Sequence, residues 1–215
     1  MRMTYEELFE RLGGQAFFDL AMVVQLSDEP RASLRVQLHR WSKKGRLLPL
    51  RRGMYAWPES RRRVPLNPAA LANVLMSPSY LSGAWALGFY GLIPERVVAY
   101  TSVTSRAPRR FENVAGIFEY RHIKRTAFLG YQGIEIEGAK VQVATPEKAL
   151  LDFWHLSAGP WTPVRMTEMR FQNFDVVKPR RLEEQARQFR SPRLLAAVKV
   201  WKAVAQEAKE GTVEL

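Results

Sequence analysis

Three side chains stand at helical spacing with the chemistry of an acid–base centre. Lys148, Asp152 and His155 fall at i, i+4 and i+7 within Thr145-Pro146-Glu147-Lys148-Ala149-Leu150-Leu151-Asp152-Phe153-Trp154-His155. One helical face would therefore carry an amine, a carboxylate and an imidazole. Such a set could move a proton or supply half of a metal site. The same spacing makes Lys148 and Asp152 an ion pair, exposed or half buried. His155 would then lie near a helix C-terminus, where a protonated imidazole is favoured. The ion-pair reading prevails, because no second His/Asp/Glu cluster completes a site. Glu135, Glu137 and Asp152 are the only carboxylates that could serve a metal-dependent nuclease. His122 is isolated, and the sequence holds neither a Gly-rich phosphate loop nor a serine nucleophile elbow. The expectation is a protein that is not an enzyme and uses no metal or cofactor.

The other chemistry on offer is the recognition of phosphates and base edges. Arg31, Arg35, Arg40, Lys43 and Lys44 flank a stripe made by Leu34, Leu38 and Trp41, and Ser33 and His39 share that segment. Arg46 follows, then Arg51 and Arg52, then the triplet Arg61, Arg62 and Arg63. From Arg31 to Arg63 there are eleven Lys/Arg against one acid, Glu59, a local net of +10; residues 1–29 carry two bases against six acids, a net of −4. A basic excess concentrated in one segment is the electrostatic footprint of a nucleic-acid reader. These thirteen residues are the candidate DNA-binding set, and double-stranded DNA is the expected partner. Two further basic concentrations run from Arg106 to Arg125 and from Lys178 to Arg193, each offset by acids; either could extend the DNA track or contact RNA, and a solvated surface is the favoured reading of both.

The elements that must position these residues follow from local signals. Thr4 and Glu7 form a capping box for a first helix ending at Gly13-Gly14. A second helix is expected over Phe17 to Leu26. Ser27-Asp28-Glu29-Pro30 makes the turn into the basic helix, which Gly45 stops. Leu47 to Leu50 and Met54 to Trp57 read as strands around Arg51-Arg52-Gly53, a hairpin with arginines at its tip. Helix, helix, turn, helix and hairpin in series predict a winged helix-turn-helix over residues 1–57. Residues 58–66, rich in proline and arginine, read as a linker, which could lie along a phosphate backbone or enter a minor groove and reads equally as a solvated hinge.

Residues 67–215 read as an α+β domain. Asn67-Pro68 opens a helix to Leu75, and a second helix is expected over Ser79 to Tyr90. Strands are expected over Val97 to Thr104, Gly116 to Ile123, Gly130 to Ile136 and Ala139 to Val143, in a small, mostly antiparallel sheet. Helices then run from Thr145-Pro146 to Leu156, and over about 163–171, 179–189 and 192–208. The chain has 215 residues, 47% of them hydrophobic, and no cysteine, which excludes disulfides and thiolate chemistry. The start lacks the apolar core of a signal peptide, and no apolar run is long enough to span a membrane, so the expected location is the cytoplasm.

Ordered blocks along the chain resemble the AbiEi family, the antitoxins of type IV toxin–antitoxin systems. Arg40-Trp41-Ser42-Lys43-Lys44-Gly45-Arg46-Leu47 and Arg51-Arg52-Gly53-Met54-Tyr55-Ala56 are similar to that family's winged-helix domain. Pro78-Ser79-Tyr80-Leu81-Ser82, Tyr90-Gly91-Leu92-Ile93-Pro94-Glu95, Thr101-Ser102-Val103-Thr104 and Arg109-Arg110-Phe111 are similar to blocks of its second domain. Phe118-Glu119-Tyr120-Arg121-His122-Ile123 and Ala144 to Asp152 continue the series. The resemblance covers roughly residues 15 to 155 and is looser over the last sixty. It implies a transcriptional autorepressor that binds its own operon promoter. It also implies an antitoxin that counters a nucleotidyltransferase-like toxin, with no stable complex required. The rival expectations are a ligand-responsive winged-helix regulator and a DNA-acting nuclease.

Overall fold

The computed structural model describes residues 2–95 and 97–213. Its N-terminal part starts with α1 (Tyr5–Leu12), where the Thr4 hydroxyl accepts from the Glu7 N–H and the Glu7 carboxylate accepts from the Thr4 N–H, the capping box expected from sequence. The chain then departs from expectation. Phe17–Asp19 is a strand, β1, and only Leu20–Gln25 is helical, as α2. Two things end the helix early on its N-terminal side. Asp19 caps α2, its carboxylate accepting from the Met22 N–H at 3.0 Å, and Phe17 and Phe18 pair with Ala56 and Tyr55. The hydrophobic spacing that suggested one helix was shared between a strand and a short helix.

Helix α3 (Arg31–Lys43) follows Pro30 and buries Leu34, Gln37 and Leu38. Strands β2 (Leu48–Arg51) and β3 (Met54–Ala56) complete an antiparallel sheet of order β1-β3-β2. Gly53, at φ 74°, makes the tight return that a side chain would strain. The core beneath these elements holds Leu8, Val23, Leu34, Leu38, Leu47 and Trp57, and the Trp57 indole donates to the Leu12 carbonyl at 3.2 Å.

The arginines of the segment read as a linker lie against α1. Glu59–Arg61 is a 3-10 turn. Arg61 reaches Glu6 at 2.5 Å and lies over the Phe9 ring at 4.6 Å; Arg63 reaches Glu10 at 3.5 Å and also lies over Phe9. Arg62 donates to the Trp57 carbonyl at 3.3 Å. The acids of α1, which make residues 1–29 net negative, provide the counter-charges.

The second part contains α4 (Pro68–Leu75), β4 (Ser79–Leu81), α5 (Gly83–Phe89), β5 (Ala99–Thr104), β6 (Arg109–Asn113) and β7 (Gly116–His122). It continues with β8 (Tyr131–Ile136), β9 (Ala139–Ala144), α6 (Pro146–Leu156), α7 (Pro163–Glu168), α8 (Pro179–Gln188) and α9 (Pro192–Val213). Its sheet has six strands in the order β6-β7-β5-β4-β9-β8. It is mixed: β5 and β7 run parallel, as do β4 and β9, while the other neighbours are antiparallel. Two of its strands went unread in the sequence. β4 is a three-residue strand buried at the centre of the sheet, too short for any alternation and merged by periodicity with the helix behind it. β6 is a charged edge strand whose only large apolar residue is Phe111.

The two parts share packing. Leu50, Met54 and Ala56 belong to the larger core, together with Leu71, Tyr80, Phe118 and Tyr120. The Asn113 side chain donates to the Leu50 carbonyl at 3.0 Å. The β2–β3 hairpin is thus anchored on the second sheet as well as on its own helices. No helix among the described residues is long and apolar enough to cross a membrane.

Candidate nucleic-acid interface

A cleft of about 990 Å³ opens between α3 and the β2–β3 hairpin. Helix α3 contributes Arg31, Arg35, His39 and Lys43, each four residues after the last, so they form one slowly drifting stripe. The hairpin contributes Arg51 and Arg52 from the opposite side. Five arginines and lysines therefore converge on one concave surface. Leu34 and Leu38, 2% and 1% exposed, lie on the other side of α3, and their burial in the first core fixes which face the arginines present. Long cationic side chains on a helix and a hairpin can reach phosphates on two sides of a groove, and arginine can bond guanine bidentately.

Not all thirteen candidates share this surface. Ser33 and Arg40 face a separate shallow depression beside Asp28 and Glu29. Lys44 is the C-cap of α3. Arg46 lies over the Tyr5 ring at 5.0 Å, and the Tyr5 hydroxyl donates to the Arg46 carbonyl. Arg61, Arg62 and Arg63 are engaged with Glu6, Trp57 and Glu10 as described above. The cleft also takes in residues that sequence reasoning passed over: Asp19, Val36, Ser42 and Tyr55. Val36 is 46% exposed, an apolar contact point amid the charges. The four-residue stripe from Arg31 was the signal that could have separated cleft-lining positions from the rest. Burial raises the Tyr55 phenol above its ordinary value, so it is a neutral donor at the cleft wall.

The acid–base candidates are placed elsewhere. Lys148 and Asp152 are both fully buried and bonded to one another, not exposed or half buried as expected. Asp152 also accepts from the Tyr80 hydroxyl at 3.0 Å and the Ser82 hydroxyl at 2.8 Å, so both of its oxygens are engaged. The Lys148 ammonium lies over the rings of Phe189 at 4.7 Å and Tyr80 at 5.5 Å. Burial pushes the Tyr80 phenol up, reinforced by the Asp152 charge, and pushes the Lys148 amine down against the pull of Asp152. This network ties α6 to β4; it has no open face for a substrate. His155 is half buried with its Nδ1 unpartnered, and burial lowers its pKa below the ordinary value, which favours a neutral ring instead of the protonated one expected at a helix end. Glu135 stands exposed on β8 opposite Lys140, apart from buried Asp152. Among the described residues no group of three or more His, Asp or Glu could hold a metal ion.

No protein-family model matches the chain, and no curated protein matches it. Among solved structures it is similar to the crystal structure of the RV2827C protein from Mycobacterium tuberculosis. The TM-score is 0.54 at 15% identity, over 92% of this chain and 78% of that one. At that identity the likeness is one of fold alone.

Proposed function

We propose that the chain is a winged helix-turn-helix repressor of its own operon and the antitoxin of a type IV toxin–antitoxin pair. One observation carries the DNA-binding half of this reading: Arg31, Arg35, Lys43, Arg51 and Arg52 converge on the cleft between α3 and the hairpin. The order α1, β1, α2, α3, β2, hairpin, β3 is that of a winged helix, with α3 as the recognition helix and Arg52 at the wing. A major groove about 12 Å wide admits such a helix while the wing follows the adjacent backbone. The test is binding of the full chain to its own upstream DNA against a scrambled duplex. Arg35→Ala should reduce the preference between them, because a helix arginine reads base edges. Arg52→Ala should weaken both, because phosphate contacts position without specifying. Equal binding of both duplexes by the wild-type chain would refute the repressor reading.

The antitoxin half rests on the ordered blocks that resemble the AbiEi family. In the fold four of the second-domain blocks lie in β4, β5, β7 and α6, at the centre of the second unit, while Arg109-Arg110-Phe111 lies on the edge strand β6 and Tyr90 to Glu95 follows α5. Tyr80, Ser82, Lys148 and Asp152, drawn from two of them, form the one buried polar network described above. The likeness is thus carried by residues that build the domain, and the nucleotidyltransferase-like toxin is the functional partner it supports. The full chain carrying Arg35→Ala and Arg52→Ala should still relieve growth arrest by the neighbouring toxin expressed from an unrelated promoter. Loss of rescue by this folded variant would leave the repressor and remove the antitoxin.

A further inference from the structure

The C-terminal helices enclose a second cleft, of about 890 Å³, unconnected in sequence with the basic helix and hairpin. Its apolar lining is Phe174, Val177, Trp201 and Ala205, with the Phe174 and Trp201 rings 5.6 Å apart. Four cations line it, Lys178, Arg180, Arg181 and Lys202, against two acids, Asp175 and Glu184. Lys202 is bonded to Glu183 at 2.7 Å, and Arg181 lies 3.9 Å from Glu147. Lys178 and Arg180 make no ion pair among the described residues and are exposed at the rim. Helix α8 starts here with no acid in its own first turn, but the buried Glu147 carboxylate accepts from the Lys178 N–H at 2.9 Å and already satisfies that end, so the positive field of the rim comes from the side chains.

A second observation concerns the lining. Trp201 is 1% exposed, and its indole N–H has no hydrogen-bond partner. A buried donor without an acceptor is costly, and this one lies sealed beneath the cleft wall, close enough to report on what fills the cleft. An apolar wall beneath a cationic rim describes a small-molecule site of ordinary dimensions.

We infer that this cleft binds an amphipathic organic anion, its apolar body against Phe174, Val177 and Trp201 and its carboxylate or phosphate toward Lys178 and Arg180. The site does not depend on the DNA-binding or antitoxin reading. The experiment uses the full chain and titrates it calorimetrically with 2-naphthoate, decanoate and the uncharged 2-naphthalenemethanol. One of the two anions should bind saturably at a single site, and 2-naphthalenemethanol at least about tenfold more weakly, since rim charge is worth that much in a partly desolvated cleft. The Lys178→Ala/Arg180→Ala variant should lose about tenfold in affinity with an unchanged melting temperature, because both side chains are exposed. The indole N–H signal that disappears in Trp201→Phe should shift on addition of the anion. Three results would overturn the site: no saturable binding by either anion, equal binding of the neutral compound, or unaltered binding by the double variant.

Discussion

Removing cleft arginines one at a time should lower the salt dependence of DNA binding in counted steps, and the count separates two readings of this surface. Each phosphate neutralised contributes about −0.9 to the slope of log K against log[salt] on duplex DNA. Counting Arg35 as well, since a cation seated in the groove displaces counterions whether it meets a base or a phosphate, the five cations of the cleft give a slope of about −4.5, or a loss of about 500-fold in affinity between about 50 and 200 mM salt. The eleven arginines and lysines nominated by sequence would give about −10 and a loss near a million-fold over the same range. Arg52→Ala should move the slope to about −3.6 and the loss to about 150-fold. Arg61→Ala should leave it unchanged, because that guanidinium is already held by Glu6 at 2.5 Å and by the rings of α1. The assay is fluorescence anisotropy of labelled upstream DNA at several salt concentrations, with melting temperatures confirming that each variant folds. A slope near zero would refute DNA binding by this protein. A slope reduced equally by Arg52→Ala and Arg61→Ala would refute the assignment to the cleft.

Three other outcomes are expected. Lys148→Met should cost about 3–5 kcal/mol in urea unfolding, the usual result of stranding one member of a buried ion pair, while Lys148→Met/Asp152→Leu should recover part of it; a loss under about 1 kcal/mol would mean the pair is hydrated. His155 has a folded pKa below its unfolded value, so the unfolded chain takes up the proton first. Stability should therefore hold above about pH 6.5 and decline as pH falls from there toward the depressed folded pKa, and this limb should flatten in His155→Asn; an identical pH profile in the two proteins would contradict it. A fragment of residues 2–66 exposes Leu50 and Met54, which the larger core covers in the full chain, so it should melt below the full chain, and Leu50→Gln should destabilise the full chain while leaving the fragment nearly unchanged; a fragment as stable as the parent would show that the shared core contributes nothing.

The local signals were read correctly wherever one residue or a short spacing decides the outcome. The Thr4–Glu7 capping box, the Asn67-Pro68 and Thr145-Pro146 helix starts and the glycine return at Gly53 each depend on chemistry within four residues, and each is present. The burial of Leu34 and Leu38 follows in the same way from the helical period. Phe17–Asp19 and Ser79–Leu81 were misread for the opposite reason: three residues become a strand only when a distant partner, Ala56 with Tyr55 or Thr104 with Val103, supplies the hydrogen bonds. The charged set was visible as a set but not as a surface. Nothing in Arg61, Arg62 and Arg63 distinguishes them from Arg51 and Arg52 until α1 brings Glu6, Glu10 and Phe9 against the first group and leaves the second at the mouth of the cleft. Lys148 and Asp152 likewise look like a surface pair until Tyr80, Ser82 and Phe189, from elsewhere in the chain, enclose them. Sequence alone determined the helix starts, the turn and the locally basic character, because those depend on neighbours along the chain. Only the tertiary structure decided which charges are neutralised and which remain to meet a polyanion, because Coulomb energy and desolvation depend on distances between residues far apart in sequence.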